Sequence, residues 1–331
     1  MKRFKFQWSH GSAEVLSTAG MLYRCVFTVD GVPFEPLARA DWAGTRLTGY
    51  PGHLRELGGE FVCLPFGDGG ISDGVVTEWR GIDLSTQNQV SHGPAADQEW
   101  EIVEARDEGV TLRLEYPSDS PVKWIERRID GVDGEAAIYL SLTVAARRAA
   151  RVSVGLHPIV RLPDRPGALR VTTTFITGLT YPATLPPGSA RAVPGKRFSL
   201  LAEVPVEGGV EDFGLLPFDA PAEEVVQLCG VDGPITAEFL DEGASLVIDW
   251  DHDLLPSAQL WISDSLVQES PWFGRYRGLG IEAIASAFDF AEDVSIGRNP
   301  ISDSGIATSI AITPALPVVI SYSLKAHTNK K

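Results

Sequence analysis

The 331-residue chain holds only three cysteines. Cys25, Cys63 and Cys229 are too few and too scattered for a disulfide framework or a zinc site. An odd count without a CxxC pair fits a reducing compartment. No run approaches 18 consecutive apolar residues, so no segment reads as a membrane-spanning helix. The start, MKRFKFQWSH, carries positive charge with no apolar stretch behind it and does not read as a signal peptide. A cytoplasmic location is the default expectation. Basic residues are also short: 28 Lys and Arg stand against 44 Asp and Glu, a net charge of −16. Phosphate backbones and anionic lipid would be repelled, so neither nucleic acid nor membrane is an expected partner, and a neutral small molecule is. Helical periodicity is missing as well. No window of 11 or more residues sustains an i, i+3, i+4, i+7 apolar stripe.

Alternation with a period of two takes its place. It runs through Val110–Tyr116, Ile138–Val144, Arg151–Leu156, Ser245–Asp249, Ser257–Ser263, Thr308–Ile312 and Val318–Leu324. Each reads as a strand with one face in a core. The 33 glycines and 23 prolines punctuate these strands at short intervals. Frequent strands joined by turns predict an all-β protein, a large antiparallel β-sandwich. No repeat or linker divides the chain, so residues 1–331 are expected to form one domain. A proline-rich stretch around 176–224 is expected to leave the sandwich and return to it.

Three motif matches fail on context. Gly70–Gly74 fits G-x-S-x-G, yet a strand-like segment follows where the nucleophile elbow needs a helix. Gly278–Ala283 fits G-x-G-x-x-A without the helix that would face a pyrophosphate. Asp249, Asp251 and Asp253 have the spacing of a calcium loop, but Leu254 and Leu260 stand where glycine and glutamate are required. No metal, nucleotide or other cofactor is therefore expected.

What survives lies on the outer faces of three strands. His157 points away from the aliphatic face formed by Val152, Val154 and Leu156, at the predicted end of its strand. Gln259 and Trp261 point away from Ala258, Leu260 and Ile262. Glu282 points away from Leu279 and Ile281. Such a face suits a hydroxyl-rich ligand: an aromatic ring covers the apolar side of a sugar while polar groups fix its hydroxyls.

These same residues carry a resemblance. Gly155–Leu162 (GLHPIVRL) resembles the histidine–proline strand of the aldose 1-epimerase, or galactose mutarotase-like, family. Ser91–Trp100 (SHGPAADQEW) is similar to that family's H-G…W segment, Ala258–Ile262 (AQLWI) to its LQLW strand, and Gly280–Ala283 (GIEA) to its glutamate strand. Gly59–Gly67 is similar to the segment preceding H-G, and the elements follow family order from Gly59 to Leu324. The resemblance implies a β-sandwich that interconverts sugar anomers without a cofactor. It implies that His157 is the general acid at the ring oxygen and Glu282 the general base at the anomeric hydroxyl. His92 would bind a hydroxyl or help polarise the ring oxygen, with Gln259 and Trp261 on the substrate. The chain departs from the pattern at Pro94–Asp97, where the family commonly has arginine, and at Ala283, where proline is usual. The missing arginine and the net acidity disfavour phosphorylated sugars. The alternative is a carbohydrate-binding protein without catalysis on the same scaffold.

Overall fold

A computed structural model describes residues 1–329 except 46, 68–74, 81, 83–89 and 186–189. The G-x-S-x-G segment at 70–74 lies outside the described residues. Two large antiparallel sheets, one of eleven strands and one of nine, form the framework of the fold. Among the described residues the α-helices are single turns, Gly52–Arg55, Gly93–Asp97 and Glu292–Ile296. None is long and apolar enough to cross a membrane.

The predicted alternation is what packs the two sheets. Leu156, Val160, Leu260, Ile262, Leu279 and Ile281 from the first sheet meet Leu112, Ile125, Ile129, Leu140, Leu142 and Leu324 from the second in one apolar core. Residues between them in sequence point to the opposite faces, as the pleat requires. Five neighbouring strands of the larger sheet carry most of the candidate site residues. In spatial order they are Glu60–Cys63, Val154–Arg161, Arg277–Ala285, Ser257–Asp264 and Ala222–Val231.

Two boundaries differ from the sequence reading. Arg151–Leu156 is two strands, Ala150–Val152 and Val154–Arg161, which break at buried Ser153 and pair in different sheets. His157 is consequently not at a strand end, and its strand continues through Pro158 to Arg161. The proline is tolerated because the ladder to the Arg277–Ala285 strand skips that point, resuming at Ile159 with Gly280. The stretch 176–224 also begins and ends in the large sheet, since Phe175–Thr180 pairs with Ala222–Val231. Between them Arg197–Phe198 still pairs with Phe175–Thr180 in that sheet, while Val204–Val206 and Gly209–Glu211 form a separate two-stranded pair.

One charged pair crosses the core. Arg127 sits between Leu112 and Leu142 on neighbouring strands of the nine-stranded sheet. It reaches the larger sheet, where its guanidinium pairs with Glu60 and donates to the Gly20 carbonyl. Tyr322 Oη donates to the second oxygen of Glu60 over 3.0 Å. Both charges are fully buried.

Candidate active site

Strand register assembles the site. Phe61 pairs with His157, and Leu156 and Ile159 pair with Ala283 and Gly280, which sets His157 across from Glu282. Glu282 pairs in turn with Gln259, and Gln259 with Gln227. One row across five strands thus carries Phe61, His157, Glu282, Gln259 and Gln227 on one face. The row below adds Trp261, opposite Gly280.

His157 Nε2 lies 3.3 Å from Glu282 Oε1, and the two side chains are 5% and 1% exposed. They touch, so no gap the size of a sugar ring separates them, and both face the same cavity. Gln259 Nε2 donates to Glu282 Oε2 over 3.1 Å, which leaves the buried Gln259 Oε1 without a hydrogen-bond partner. A buried acceptor of that kind on a cavity floor suits a ligand hydroxyl. The imidazole of His157 stacks on Phe61 at 4.4 Å and 20°. His92 meets it edge-on at 5.3 Å, and His53 meets His92 at 5.2 Å. Trp261 lies 6.0 Å from His157, and its Nε1 donates to Glu223 Oε1 over 2.6 Å.

All five residues singled out in the sequence (His92, His157, Gln259, Trp261 and Glu282) line a cavity of about 540 Å³. The structure adds His53, Phe61, Glu223 and Asp289 to its wall. His53 rides on the Gly52–Arg55 turn, which Asp97 holds by accepting the Gly52 N–H at 2.9 Å. A Cβ at Gly52 would stand 2.1 Å from the Asp97 carbonyl oxygen, so this close approach requires glycine. Asp97 thus has a structural task in the stretch where the family commonly has arginine. His92 caps the neighbouring Gly93–Asp97 helix in a left-handed conformation at φ 54°, an uncommon one for a residue with a side chain. No lysine or arginine lines the cavity among the described residues, and no metal-binding cluster occurs among them.

Burial sets the electrostatics. It holds His157 well below the ordinary imidazole range, helped by repulsion from His92 and His53. It raises Glu282 well above the carboxylate range, joined by the Asp289 charge and opposed by the Gln259 hydrogen bond. Both shifts favour the uncharged form of the pair, a neutral imidazole beside a carboxylic acid. The other arrangement, imidazolium with carboxylate, differs by one proton moved between the two residues. Burial also pushes Glu223 up to about 7, against its bonds from Trp261 and Ser263.

These shifts give stability a definite pH dependence. Burial raises Glu224 and Glu292 to about 7 as well. A carboxyl raised in the folded state stabilises it most below the ordinary carboxyl pKa and loses that contribution as pH rises through about 7. His157 acts in the opposite sense, because below 6.5 the unfolded chain takes up a proton that the folded chain resists. Four carboxyls outweigh one imidazole, so unfolding free energy should fall between pH 6 and pH 8. Urea titrations at the two values check this, and equal or rising stability would contradict it.

Gly280 makes room for the acid. A Cβ there would lie 2.4 Å from Glu282 Oε1 and 3.2 Å from the Trp261 Cβ. Gly280→Ala should therefore displace the Glu282 carboxylate from His157 and Gln259 while the strand still pairs. The expected signature is a loss of ligand-site function with a small change in unfolding midpoint, read by denaturant titration beside an activity assay.

The two packed antiparallel sheets form a galactose mutarotase-like fold. The chain is similar to a candidate aldose 1-epimerase from Escherichia coli K12, at TM-score 0.68 and 16% identity, covering 99% of each chain. It is similar to a galactose mutarotase-like protein from Clostridium acetobutylicum, at TM-score 0.66 and 14% identity, covering 98% of this chain and 95% of that one. An aldose epimerase homologue from C. elegans aligns at TM-score 0.65 and 12% identity over 99% of both chains. At such identities the likeness establishes the fold. No family model matches the chain, and no curated protein matches it by sequence.

Proposed function

We propose that the protein is an aldose 1-epimerase-like isomerase that interconverts the anomers of a free, unphosphorylated sugar. The observation that carries this reading is the contact between His157 Nε2 and Glu282 Oε1 at 3.3 Å on a cavity floor. Mutarotation needs one proton delivered to the ring oxygen while another leaves the anomeric hydroxyl. An imidazolium–carboxylate pair supplies both. His157 protonates the ring oxygen, Glu282 takes the anomeric proton, and the C1–O5 bond breaks to give the open-chain aldehyde.

The pair then stands as neutral imidazole and carboxylic acid, the form that burial favours. Ring opening therefore removes the two buried charges that forming the imidazolium–carboxylate pair had created. After rotation about C1–C2, Glu282 returns its proton to the aldehyde oxygen, His157 takes back the proton from the C5 hydroxyl, and the ring closes. The pair holds one proton in both of its resting forms, so no cofactor takes part. Gln259 Oε1 accepts a sugar hydroxyl, Trp261 covers the ring's apolar face, and His92 and Glu223 hold further hydroxyls. The absence of lysine and arginine from the described lining supports a substrate without phosphate. Residues 1–331 are read as one domain, since strands from across the chain share the sheet that builds this site.

Polarimetry, or NMR exchange between anomers, on glucose, galactose and less common aldoses tests the proposal. Acceleration well above the buffer rate is expected for at least one. Binding without acceleration of any would replace it with the carbohydrate-binding reading.

A further inference from the structure

The cavity is polar at its base, and its half-buried lining mixes apolar residues with Ser91, Glu223 and Asp289. His157, Gln259 and Glu282 at the base are buried. Pro51, Leu54, Leu185, Val267 and Trp272, which also line it, are half-buried. They come from three separate segments: the turn carrying His53, the connection after Phe175–Thr180, and the connection between the Trp261 and Glu282 strands. Hydroxyls placed against them would give up water without gaining partners. The space also exceeds one sugar. At the roughly 30 Å³ that each molecule has in liquid water, a hexose's twelve non-hydrogen atoms take no more than about 360 Å³. The cavity holds about 540 Å³.

Building on the epimerase reading of the base, we propose that the substrate is a sugar carrying an apolar substituent, alkyl, acyl or aryl, away from the anomeric carbon. The anomeric centre sits on His157 and Glu282, and the substituent lies against Trp272, Val267 and Leu54. A substituent of this kind removes apolar rim surface from water, as the sugar's own hydroxyls cannot. The free anomeric hydroxyl is kept, so the ring-opening step is unchanged.

The test uses glucose and its 2-, 3-, 4- and 6-O-benzyl ethers, with calorimetry for affinity and NMR anomer exchange for turnover. At least one ether should bind tenfold or more tighter than glucose. Trp272→Ala and Val267→Asn should each shrink that ratio. Trp272 also packs on Trp42, at 5.7 Å, so Val267→Asn keeps the test valid if the tryptophan variant fails to fold. Ethers that bind no better than glucose, or a preference that survives both substitutions, would overturn the proposal. The two readings fail separately. Tight, rim-dependent ether binding without anomer exchange overturns the epimerase and keeps the rim. Exchange of glucose with no ether preference does the reverse.

Discussion

Glu282→Gln should slow anomer exchange by about 10²–10⁴, the usual cost of removing a general acid or base, while sugar affinity changes little. The amide preserves shape and can still hydrogen-bond to Gln259, but it cannot take the anomeric proton. His157→Asn should have an effect of the same order from the ring-oxygen side. The two should not multiply in the double variant, because the pair acts as a unit on one shared proton. Trp261→Ala should differ in kind. It removes ring contact and strips Glu223 of its 2.6 Å donor, so KM should rise more than kcat falls. Polarimetry on purified variants, with binding followed separately by calorimetry, distinguishes these outcomes. A Glu282→Gln variant with wild-type exchange would remove the carboxylate from the proposed mechanism.

The second large effect is on stability. Arg127→Met should cost about 3–5 kcal/mol, because it leaves the Glu60 carboxylate buried without its partner. Adding Glu60→Gln should restore much of the loss, since the remaining amide can still hydrogen-bond to Tyr322 and no charge is left in the core. Urea unfolding of wild type, single and double variants measures the coupling. Additive losses in the double variant would show that the pair contributes nothing jointly. Phe61, the residue after Glu60, stacks on His157, so the single variant also tests whether loosening this strand reaches the site.

Much of the fold was legible because strands of the large sheet alternate cleanly. In Ser257–Asp264 the aliphatics alternate with Gln259 and Trp261, and in Arg277–Ala285 Leu279 and Ile281 face the core while Glu282 faces away. Those faces were readable residue by residue. Glu60–Cys63 was not, because all four of its residues are buried, with apolar residues on both faces. Phe61 looks no different there from Val62, although one lies beside His157 and the other in the core. Glu223 and Asp289 lacked a signal for another reason: an acidic residue beside another, or alone between phenylalanines, reads as solvated until its neighbours are known. Arg127 was recoverable in principle. It alternates with Ile125 and Ile129, which is an inward position for a charge and already calls for a buried partner. The contact between His157 and Glu282 lay beyond any local pattern, because it depends on register between two strands distant in the sequence, 154–161 and 277–285.

That dependence makes the site a check on the whole sheet. Each of His157, Glu282 and Gln259 reaches the cavity only if its strand is paired in one register. A slip of a single residue would turn the side chain into the apolar core and bring an aliphatic out in its place. Local structure can form without this agreement; function cannot. During refolding, backbone signals should recover while the strands are still sorting their partners, and sugar turnover should return last, with the distant pairing of 154–161 to 277–285.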